Sequence, residues 1–239
     1  MATASFLTQA LVLLAAYLIG SVSFAVVVSK MMGLADPHTY GSGNPGATNV
    51  LRTGNKKAAA LTLAGDVLKG VVAVLLAKAL APTLGLSSTM IMMVGLAAFI
   101  GHLFPVFHGF KGGKGVATAA GVLLAINPIH GLMVLLTWLG VAFITRYSSL
   151  AALVAAGMAP IYWGLIWGIN ASTLGVLIMS ALLIWRHRSN IEKLLSGKES
   201  KIGGSKKAAN DSQIHAQDDG HDKHRAGKHQ GKGHHGRLD

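Results

Sequence analysis

The chain has 239 residues, of which 51 % are hydrophobic and only 13 % are charged, and its formal net charge is +12. Soluble domains carry about 25 % charged residues, whereas the stretches 5–29 and 149–185 contain none here. Apolar runs of about 18 or more residues predict transmembrane helices, so the composition excludes a single soluble core. The absence of cysteine excludes disulfides and thiolate chemistry.

Seven apolar segments are predicted as membrane spans, in chain order 6–29, 58–81, 89–107, 115–126, 129–145, 150–168 and 171–185. We interpret the first as a retained span and not as a signal peptide, because no basic residue precedes it and it is long for a signal h-region. Asn127 and Pro128 separate the short fourth and fifth spans, because proline disfavours continuation of a helix.

The placement of charge predicts how the spans cross the membrane. Basic residues cluster in four places: 30–57, 111–114, position 146 and position 186 onward. The segments between these places carry no charge: 82–88, 127–131 and 168–171. The positive-inside rule assigns the basic segments to the cytoplasm, and Lys78 is an exception that could snorkel to the interface. We therefore expect an all-α polytopic membrane protein with about seven transmembrane helices, its N-terminus outside and its C-terminus cytoplasmic.

The composition changes near residue 200 and predicts two regions, a transmembrane domain over 1–200 and a disordered cytoplasmic tail over 201–239. The tail is rich in lysine, histidine, glycine and aspartate and has too few apolar residues to form a core. It could bind a metal through its histidines or serve only as a solvated basic extension, and we favour the second interpretation. The basic residues beside the spans suit anionic lipid and anionic substrates better than nucleic acid.

The first polar cluster follows the first span. It combines flexible glycines with short hydrogen-bond donors and one arginine: Gly41, Ser42, Gly43, Asn44, Gly46, Thr48, Asn49 and Arg52. Glycine-rich backbone lets N–H groups converge on an anion, and a guanidinium binds phosphate in a bidentate manner. A tight loop that caps the second span is the alternative. Ser42 is interpreted as a donor and not as a nucleophile, because no hydrolase elbow surrounds it.

A second cluster precedes the fourth span and contains Lys111, Gly112, Gly113, Lys114, Gly115 and Thr118. It is not a Walker A motif, because glycine and not serine or threonine follows Lys114 and no strand precedes it. Two lysines and free N–H groups at a helix start nevertheless favour an anion. A third cluster, 186–190, lies where the last span ends. Its arginines could simply be membrane anchors, but His187 and Asn190 share a helix face.

Charged residues also occur inside the spans. Asp66 and Lys69 are three residues apart on the second span and are predicted to form a structural ion pair, since isolated charges are costly in a bilayer. His102 and His108 flank the end of the third span, and the sequence leaves ligand, packing and interface roles open for both.

These clusters together resemble the bacterial acyl-phosphate-dependent glycerol-3-phosphate acyltransferase family. The resemblance extends over about residues 10–200 and is carried by five strings and two dipeptides in order: Asp36-Pro37, GSGNPGATNVLR at 41–52, GDVLKG at 65–70, GH at 101–102, FPVFHGFKGGKGVAT at 104–118, RYSSL at 146–150 and RHRSNIEKLL at 186–195. The tail lies beyond it.

The resemblance implies a multi-pass enzyme of the bacterial inner membrane whose active site faces the cytoplasm. It would move an acyl group from acyl phosphate to the 1-hydroxyl of sn-glycerol 3-phosphate, giving lysophosphatidic acid and phosphate in early phospholipid synthesis. The enzyme that makes acyl phosphate would be a further partner, membrane lipid would surround the chain, and neither cofactor nor metal is implied.

The resemblance also assigns roles to residues. Implied catalytic residues are Ser42, Lys114, His187 and Asn190. Implied phosphate-binding residues are Gly43, Asn44, Gly46, Thr48, Asn49, Arg52, Lys111, Gly112, Gly113, Gly115 and Thr118. The resemblance implies a structural role for Glu199, and Asp66, Lys69 and His102 are expected to be structural or supporting residues as well. Either His187 or a substrate phosphate could accept the hydroxyl proton.

Two other functions use the same features. A transporter for an organic phosphate would need anion loops and cytoplasmic basic residues, but the spans carry few polar residues to line a path and the clusters lie on one side. A lipid-binding scaffold would not need three separate donor clusters. Acyl transfer is therefore the favoured prediction.

Overall fold

The structure, a computed structural model, describes residues 4–203, and all the regular secondary structure in this part of the chain is helical. The predicted tail lies outside the described residues except for its first three positions. The α-helices are α1 (Phe6–Gly20), α2 (Phe24–Met31), α3 (Ala47–Val50), α4 (Lys56–Leu84), α5 (Ser88–Leu103), α6 (Val116–Ile126), α7 (Pro128–Thr145), α8 (Ser148–Trp167), α9 (Ala171–Arg186) and α10 (Arg188–Leu195). Short 3-10 helices occupy Leu51–Thr53 and Val106–His108.

Four helical segments are long and apolar enough to cross a membrane, namely Lys56–Leu84, Ser88–His108, Pro128–Thr145 and Ser148–Trp167. The pair α1 and α2 could form a fifth span, and α6 and α9 are shorter apolar helices. The all-helical class is therefore confirmed for the described residues. Each of the seven predicted segments contains helix, while seven crossings and their orientation stay predictions.

The first predicted span, 6–29, is not one continuous helix. It breaks between α1 and α2 and bends by 41°. Ser21 bonds back through its hydroxyl to the carbonyl oxygen of Tyr17 at 2.8 Å, a local side-chain bond that competes with regular helix. The break leaves the carbonyl of Val22 free to accept a bond from Lys69 at 2.8 Å.

Glycines let the helices approach closely. A β carbon on Gly70 of α4 would lie 2.6 Å from the carbonyl oxygen of Thr118 on α6, and Gly121 of α6 faces the backbone of α4 in return. Gly20 and Gly101 make the corresponding contact between α1 and α5. Small residues at such crossings are typical of membrane helix packing.

The apolar core lies between α4, α5, α6, α8 and α9, where Phe99, Leu103, Val122, Trp163 and Met179 are buried. The outer surface is apolar as well, because large aliphatic and aromatic side chains on the flanks of the long helices are exposed. A surface of this kind suits lipid and not water.

Loops that are far apart in sequence meet at one end of the bundle. A ring nitrogen of His38 lies 3.0 Å from the carbonyl oxygen of Lys111, and the hydroxyl of Ser149 donates to Glu199 at 2.7 Å. Arg186 contacts the loop before α6. All four basic segments that the sequence assigns to one side of the membrane are thus neighbours.

Candidate active site

The first loop, residues 32–46, is held together from inside by Asn49, which is only 3 % exposed. The Asn49 amide donates to the carbonyl oxygens of Pro37 and Tyr40 at 2.9 and 3.2 Å and accepts from the Ser42 N–H at 3.0 Å. Gly41 has a φ of 59°, in the left-handed region that favours glycine. Asn49 therefore uses its side chain to shape the loop and is not itself at the surface of the site.

His38 joins the first loop to the second, and sequence reasoning missed it. Its Nδ1 lies 2.7 Å from Asp36, and its Nε2 lies 3.0 Å from the carbonyl oxygen of Lys111. The ring therefore bridges a carboxylate of the first loop and a backbone carbonyl of the second. The backbone N–H of His38 also bonds to Asp36, and this bond holds the pKa of that carboxyl below its usual range.

The second loop, residues 109–115, is braced by Arg186 at the end of α9. The guanidinium donates from Nη2 to the carbonyl oxygen of Gly112 at 2.6 Å and from Nε to that of Gly113 at 3.1 Å. These two bonds fix the orientation of both peptide carbonyls. Within residues 4–203, the N–H groups of Gly112, Lys114 and Gly115 have no acceptor from the protein backbone. Such free donors at a helix start are suited to an anion.

Lys114 is the centre of a polar network. Its ammonium donates to the amide oxygen of Asn190, and the Asn190 amide nitrogen donates to Glu199 at 2.8 Å. Ser149 bonds to the same carboxylate oxygen at 2.7 Å. Burial lowers the pKa of Lys114 to about 8, although Glu199 opposes this effect. A lysine with such a pKa is partly desolvated, and a bound anion would therefore interact with it strongly.

Between the loops lies an open cleft of about 480 Å³. Its walls come from the first loop, the second loop and α10, and its basic residues are His38, Lys111, Lys114, Arg186, Arg188 and Lys193. Short donors Ser42, Asn44, Ser189 and Asn190 share the wall, and no carboxylate from residues 4–203 lines the cleft. The arrangement is suited to small molecules that carry more than one negative charge.

The structure brings seven of the residues expected at the site into the cleft wall: Ser42, Gly43, Asn44, Lys111, Gly112, Lys114 and Asn190. Other expected residues lie behind the wall or beside it. Thr118 is fully buried on α6, and Gly113 and Gly115 are buried positions of the second loop itself. Gly46 and Thr48 lie around the start of α3, outside the lining.

Arg52 and His187 also lie outside the cleft wall. The guanidinium of Arg52 donates to the hydroxyl of Ser200 at 2.7 Å, yet it is close enough to lower the pKa of Lys114. His187 is 3 % exposed, and its Nδ1 lies 2.8 Å from the carbonyl oxygen of Leu183. Burial lowers the pKa of His187 to about 4, so its ring is neutral at pH 7.

The ion pair expected inside the second predicted span is present. Asp66 and Lys69 lie 2.8 Å apart, and Lys69 also lies 2.8 Å from Nδ1 of His102. Sequence spacing indicated the first contact but not the second, because α4 and α5 approach each other only in the tertiary structure.

The sequence analysis underestimated the roles of two further basic residues. Arg186 is more than a membrane anchor, because it fixes the second loop, and Lys193 adds charge to the cleft from one turn beyond Asn190. His38 follows Asp36 by two residues, a spacing that allows an Asx-type turn, but nothing in the sequence places it against the second loop.

A family model described as glycerol-3-phosphate acyltransferase matches residues 10–197. The chain belongs to the glycerol-3-phosphate acyltransferase family. A member from Cupriavidus pinatubonensis is 70 % identical over 194 residues, which cover 81 % of this chain and 96 % of that relative. A member from Ralstonia pickettii is 65 % identical over 196 residues, which cover 82 % of this chain and 95 % of that protein.

Solved structures of the acyltransferase family agree with this assignment. Two crystal structures of PlsY, an integral membrane glycerol 3-phosphate acyltransferase, are each 40 % identical to this chain. The glycerol 3-phosphate form superposes with a TM-score of 0.75 and the lysophosphatidic acid form with 0.74, and each covers 82 % of this chain and 96 % of the solved one. The family resemblance seen in the sequence is confirmed, and so is the class of integral membrane acyltransferase.

Proposed function

We propose that this acyltransferase moves an acyl group from acyl phosphate to the 1-hydroxyl of sn-glycerol 3-phosphate and releases lysophosphatidic acid and phosphate. The observation that carries the proposal is the cleft itself, where two glycine-rich loops and α10 bring Lys and Arg together with no carboxylate from the described residues among them. Forms of the related PlsY with glycerol 3-phosphate and with lysophosphatidic acid support the acceptor and the product.

The reaction requires the protein mainly to position the two substrates and to stabilise negative charge. The acceptor hydroxyl oxygen attacks the carbonyl carbon of acyl phosphate, a C–O ester bond forms, and the bond to the phosphate oxygen breaks. The leaving phosphate takes both electrons of that bond, and the hydroxyl proton passes to a base. Because the donor is an activated anhydride, no covalent enzyme intermediate is required.

Positioning of two reactants can lower a barrier by about 7–11 kcal/mol, and a single oxyanion donor contributes about 3–4 kcal/mol. Candidates for the oxyanion donor are Ser42, Asn44 and Lys114, which line the same cleft. Lys114 suits this role best, because its partly desolvated ammonium interacts more strongly with developing negative charge than an exposed one would.

The two phosphate groups would occupy separate anion sites. We assign the donor phosphate to the second loop, which carries Lys114 and backbone N–H groups with no backbone acceptor among residues 4–203. Glycerol 3-phosphate is assigned to the first loop side, where Arg52 lies next to Ser200. This assignment requires the Arg52 guanidinium to exchange its bond with Ser200 for bonds with the substrate.

A substrate phosphate oxygen is the better proton acceptor of the two alternatives. His187 lies outside the cleft wall, and its pKa of about 4 makes it a weak base. A phosphate monoester has a second pKa of about 6 and would be held inside the cleft. His187 is then a support for α10, since it sits at the junction of α9 and α10 with Nδ1 bonded to Leu183.

We further propose seven spans, with the N-terminus outside and the active site at the cytoplasmic face of the bacterial inner membrane. The clustering of the basic loops at one end of the bundle supports this orientation under the positive-inside rule. There the soluble acceptor arrives from the cytoplasm and the acyl chain stays in lipid. The enzyme that makes acyl phosphate would be the expected supplier of the donor.

Purified protein in detergent, mixed with acyl phosphate and glycerol 3-phosphate, tests the proposal through release of phosphate and formation of lysophosphatidic acid. We expect product only when both substrates are present and a much lower rate with acyl-coenzyme A. An organic-phosphate transporter would instead need sealed vesicles and would form no ester. Failure to form lysophosphatidic acid, or equal rates with both donors, would contradict the proposal.

A further inference from the structure

Ser149 is a buried serine on the first turn of α8 that has no part in the proposed reaction. Its exposed fraction is 6 %, and its hydroxyl donates to Oε1 of Glu199 at 2.7 Å. Glu199 follows α10 and lies 50 residues further along the chain. The bond therefore joins two elements that only folding brings together, and it starts a chain of polar contacts that ends in the cleft.

Glu199 connects Ser149 to the lysine of the second loop. The same Oε1 that accepts from Ser149 also accepts from Nδ2 of Asn190 at 2.8 Å. The amide oxygen of Asn190 in turn accepts from Nζ of Lys114. Three hydrogen bonds thus lead from α8 to Lys114, and Asn190 is the member that lies in the cleft wall beside that lysine.

The two neighbours of Asn190 allow only one orientation of its amide group. An ammonium group has donors and no acceptor, whereas an ionised carboxylate has acceptors and no donor. If the amide turned by half a rotation, its N–H groups would face the Lys114 ammonium and its oxygen would face the Glu199 carboxylate. Both contacts would then be repulsive. Glu199 therefore fixes the amide with its oxygen toward Lys114.

The segment that carries Glu199 is itself held in place by further bonds. The N–H of Ile202 donates to the carbonyl oxygen of Arg146 at 2.7 Å, and Nη2 of Arg146 donates to the carbonyl oxygen of Ile202 at 3.0 Å. Arg146 has a φ of 62°, which few residues other than glycine adopt. These bonds fasten residues 199–202 to the turn between α7 and α8, three residues before Ser149.

The charges around Lys114 give this chain of contacts a consequence. Burial is the main cause that lowers the pKa of Lys114 to about 8, and Glu199 acts in the opposite direction. Three basic groups on other elements lower this pKa further, namely Lys193, Arg186 and Arg52. His187, which is also nearby, is neutral at pH 7 because its pKa is about 4. Among these neighbours, Glu199 is the one that favours the charged lysine.

We propose that Ser149 and Glu199 are positioning residues, which fix the amide of Asn190 and thereby hold the ammonium group of Lys114 charged and in place at the cleft. Neither residue lines the cleft, so both act through Asn190. This inference rests on the proposed function only where it concerns the reaction rate. A purely structural role, in which the bond does no more than hold residues 199–202 against α8, would leave the charge on Lys114 unchanged.

Competitive labelling with acetic anhydride measures the charge on Lys114 without any assay of activity, because the reagent acylates the neutral amine and not the ammonium. Full-length protein in detergent is labelled at a series of pH values and analysed by mass spectrometry, with Lys111 of the same loop as the internal reference. Glu199→Gln keeps an accepting oxygen but removes the charge. The midpoint for Lys114 should therefore move to lower pH by about one unit.

Ser149→Ala is the milder variant in the same labelling experiment and serves if Glu199→Gln does not fold. Without the hydroxyl the carboxylate is released toward solvent, where its attraction for Lys114 is screened. The Lys114 midpoint should then move in the same direction as in Glu199→Gln, but less far. Ser148→Ala is the matched control, since Ser148 is a partly exposed neighbour whose hydroxyl makes no hydrogen bond within residues 4–203.

Steady-state kinetics tests the effect on the reaction. Ser149→Ala should lower kcat about tenfold, the scale of one hydrogen bond to a charged group, while Ser149→Thr keeps a hydroxyl and should stay within about threefold. Ser148→Ala should stay within about twofold. If Ser149 acts through Asn190, Ser149→Ala should add little to the loss caused by Asn190→Leu.

Two results would overturn the proposal. One is a Lys114 midpoint that stays in place in every folded variant of Ser149 and Glu199, whatever happens to kcat. The other is a loss of kcat in Ser148→Ala equal to that in Ser149→Ala. The kinetic measurements rest on the proposed function, whereas the labelling measurements keep their meaning if that function fails.

Discussion

The charge on Lys114 should set the alkaline limit of the reaction. Burial lowers the pKa of this lysine to about 8, and the site needs the ammonium form to attract phosphate. The sign follows directly: below pH 8 the free enzyme carries the charge, and above it the charge is lost. The charged fraction falls from about 0.9 at pH 7 to about 0.1 at pH 9, so kcat/KM should fall about tenfold across this range.

In the pH profiles, the alkaline decrease in kcat should occur at higher pH than the alkaline decrease in kcat/KM. A bound phosphate places negative charge next to Lys114, and an opposite charge raises the pKa of a lysine. Since kcat reports the enzyme–substrate complex and kcat/KM reports the free enzyme, the two midpoints should separate. Initial rates of phosphate release, corrected for hydrolysis without enzyme, would give both profiles.

Two variants test whether Lys114 is the residue that causes this alkaline limb of the pH profile. Lys114→Arg keeps a charge that is not lost in this range, so it should lower the rate but abolish the fall between pH 7 and 9. Lys111→Arg changes an exposed lysine in the same loop and should leave the limb in place. A limb that persists with the same midpoint in Lys114→Arg would refute the reasoning, because another group would then control it.

Three other outcomes are expected. Arg52→Lys keeps the charge but loses the planar fork, so the KM for glycerol 3-phosphate should rise about tenfold, near 1.4 kcal/mol, with a smaller change in kcat; an unchanged KM would remove Arg52 from that site. Truncation after Ile202 keeps the bond between the Ile202 N–H and Arg146 and should leave kcat nearly intact, unless the tail takes part. A cysteine at Ser87 should react with a membrane-impermeant reagent from the periplasm and one at Gly54 should not; labelling of both from one side would exclude seven spans.

Much of the fold could be predicted because membrane helices are encoded by local sequence patterns. Charge-free apolar runs, glycine-rich loops and basic segments are properties of neighbouring residues, and each predicted span contains helix in the structure. The break after Gly20 could not be predicted in this way, since the released carbonyl of Val22 is stabilised by Lys69 from another helix. The bend depends on a partner 47 residues away in sequence.

The same distinction applies to the candidate site, of which one part could be predicted from the sequence and another part could not. The sequence predicted both glycine loops and Lys114 as anion-site residues, because glycine, short donors and cations beside a membrane have few other uses. Asn190 was predicted from the helix face it shares with His187 and from the family resemblance. The sequence predicted that Asn49 and His187 are site residues in the same way as Lys114. In the structure, however, Asn49 braces the first loop from inside and His187 is buried at the start of α10.

The sequence by itself determined the class of protein, the family and the residue types that we propose bind the phosphates. Only the tertiary structure decided which donors line the cleft, why Lys114 is desolvated, and that His38 and Arg186 hold the loops in place. The physical reason is the separation along the chain over which each kind of interaction acts. Hydropathy and backbone preferences act between near neighbours in the chain, whereas burial, pKa and the direction of a hydrogen bond are set by residues that only folding brings together.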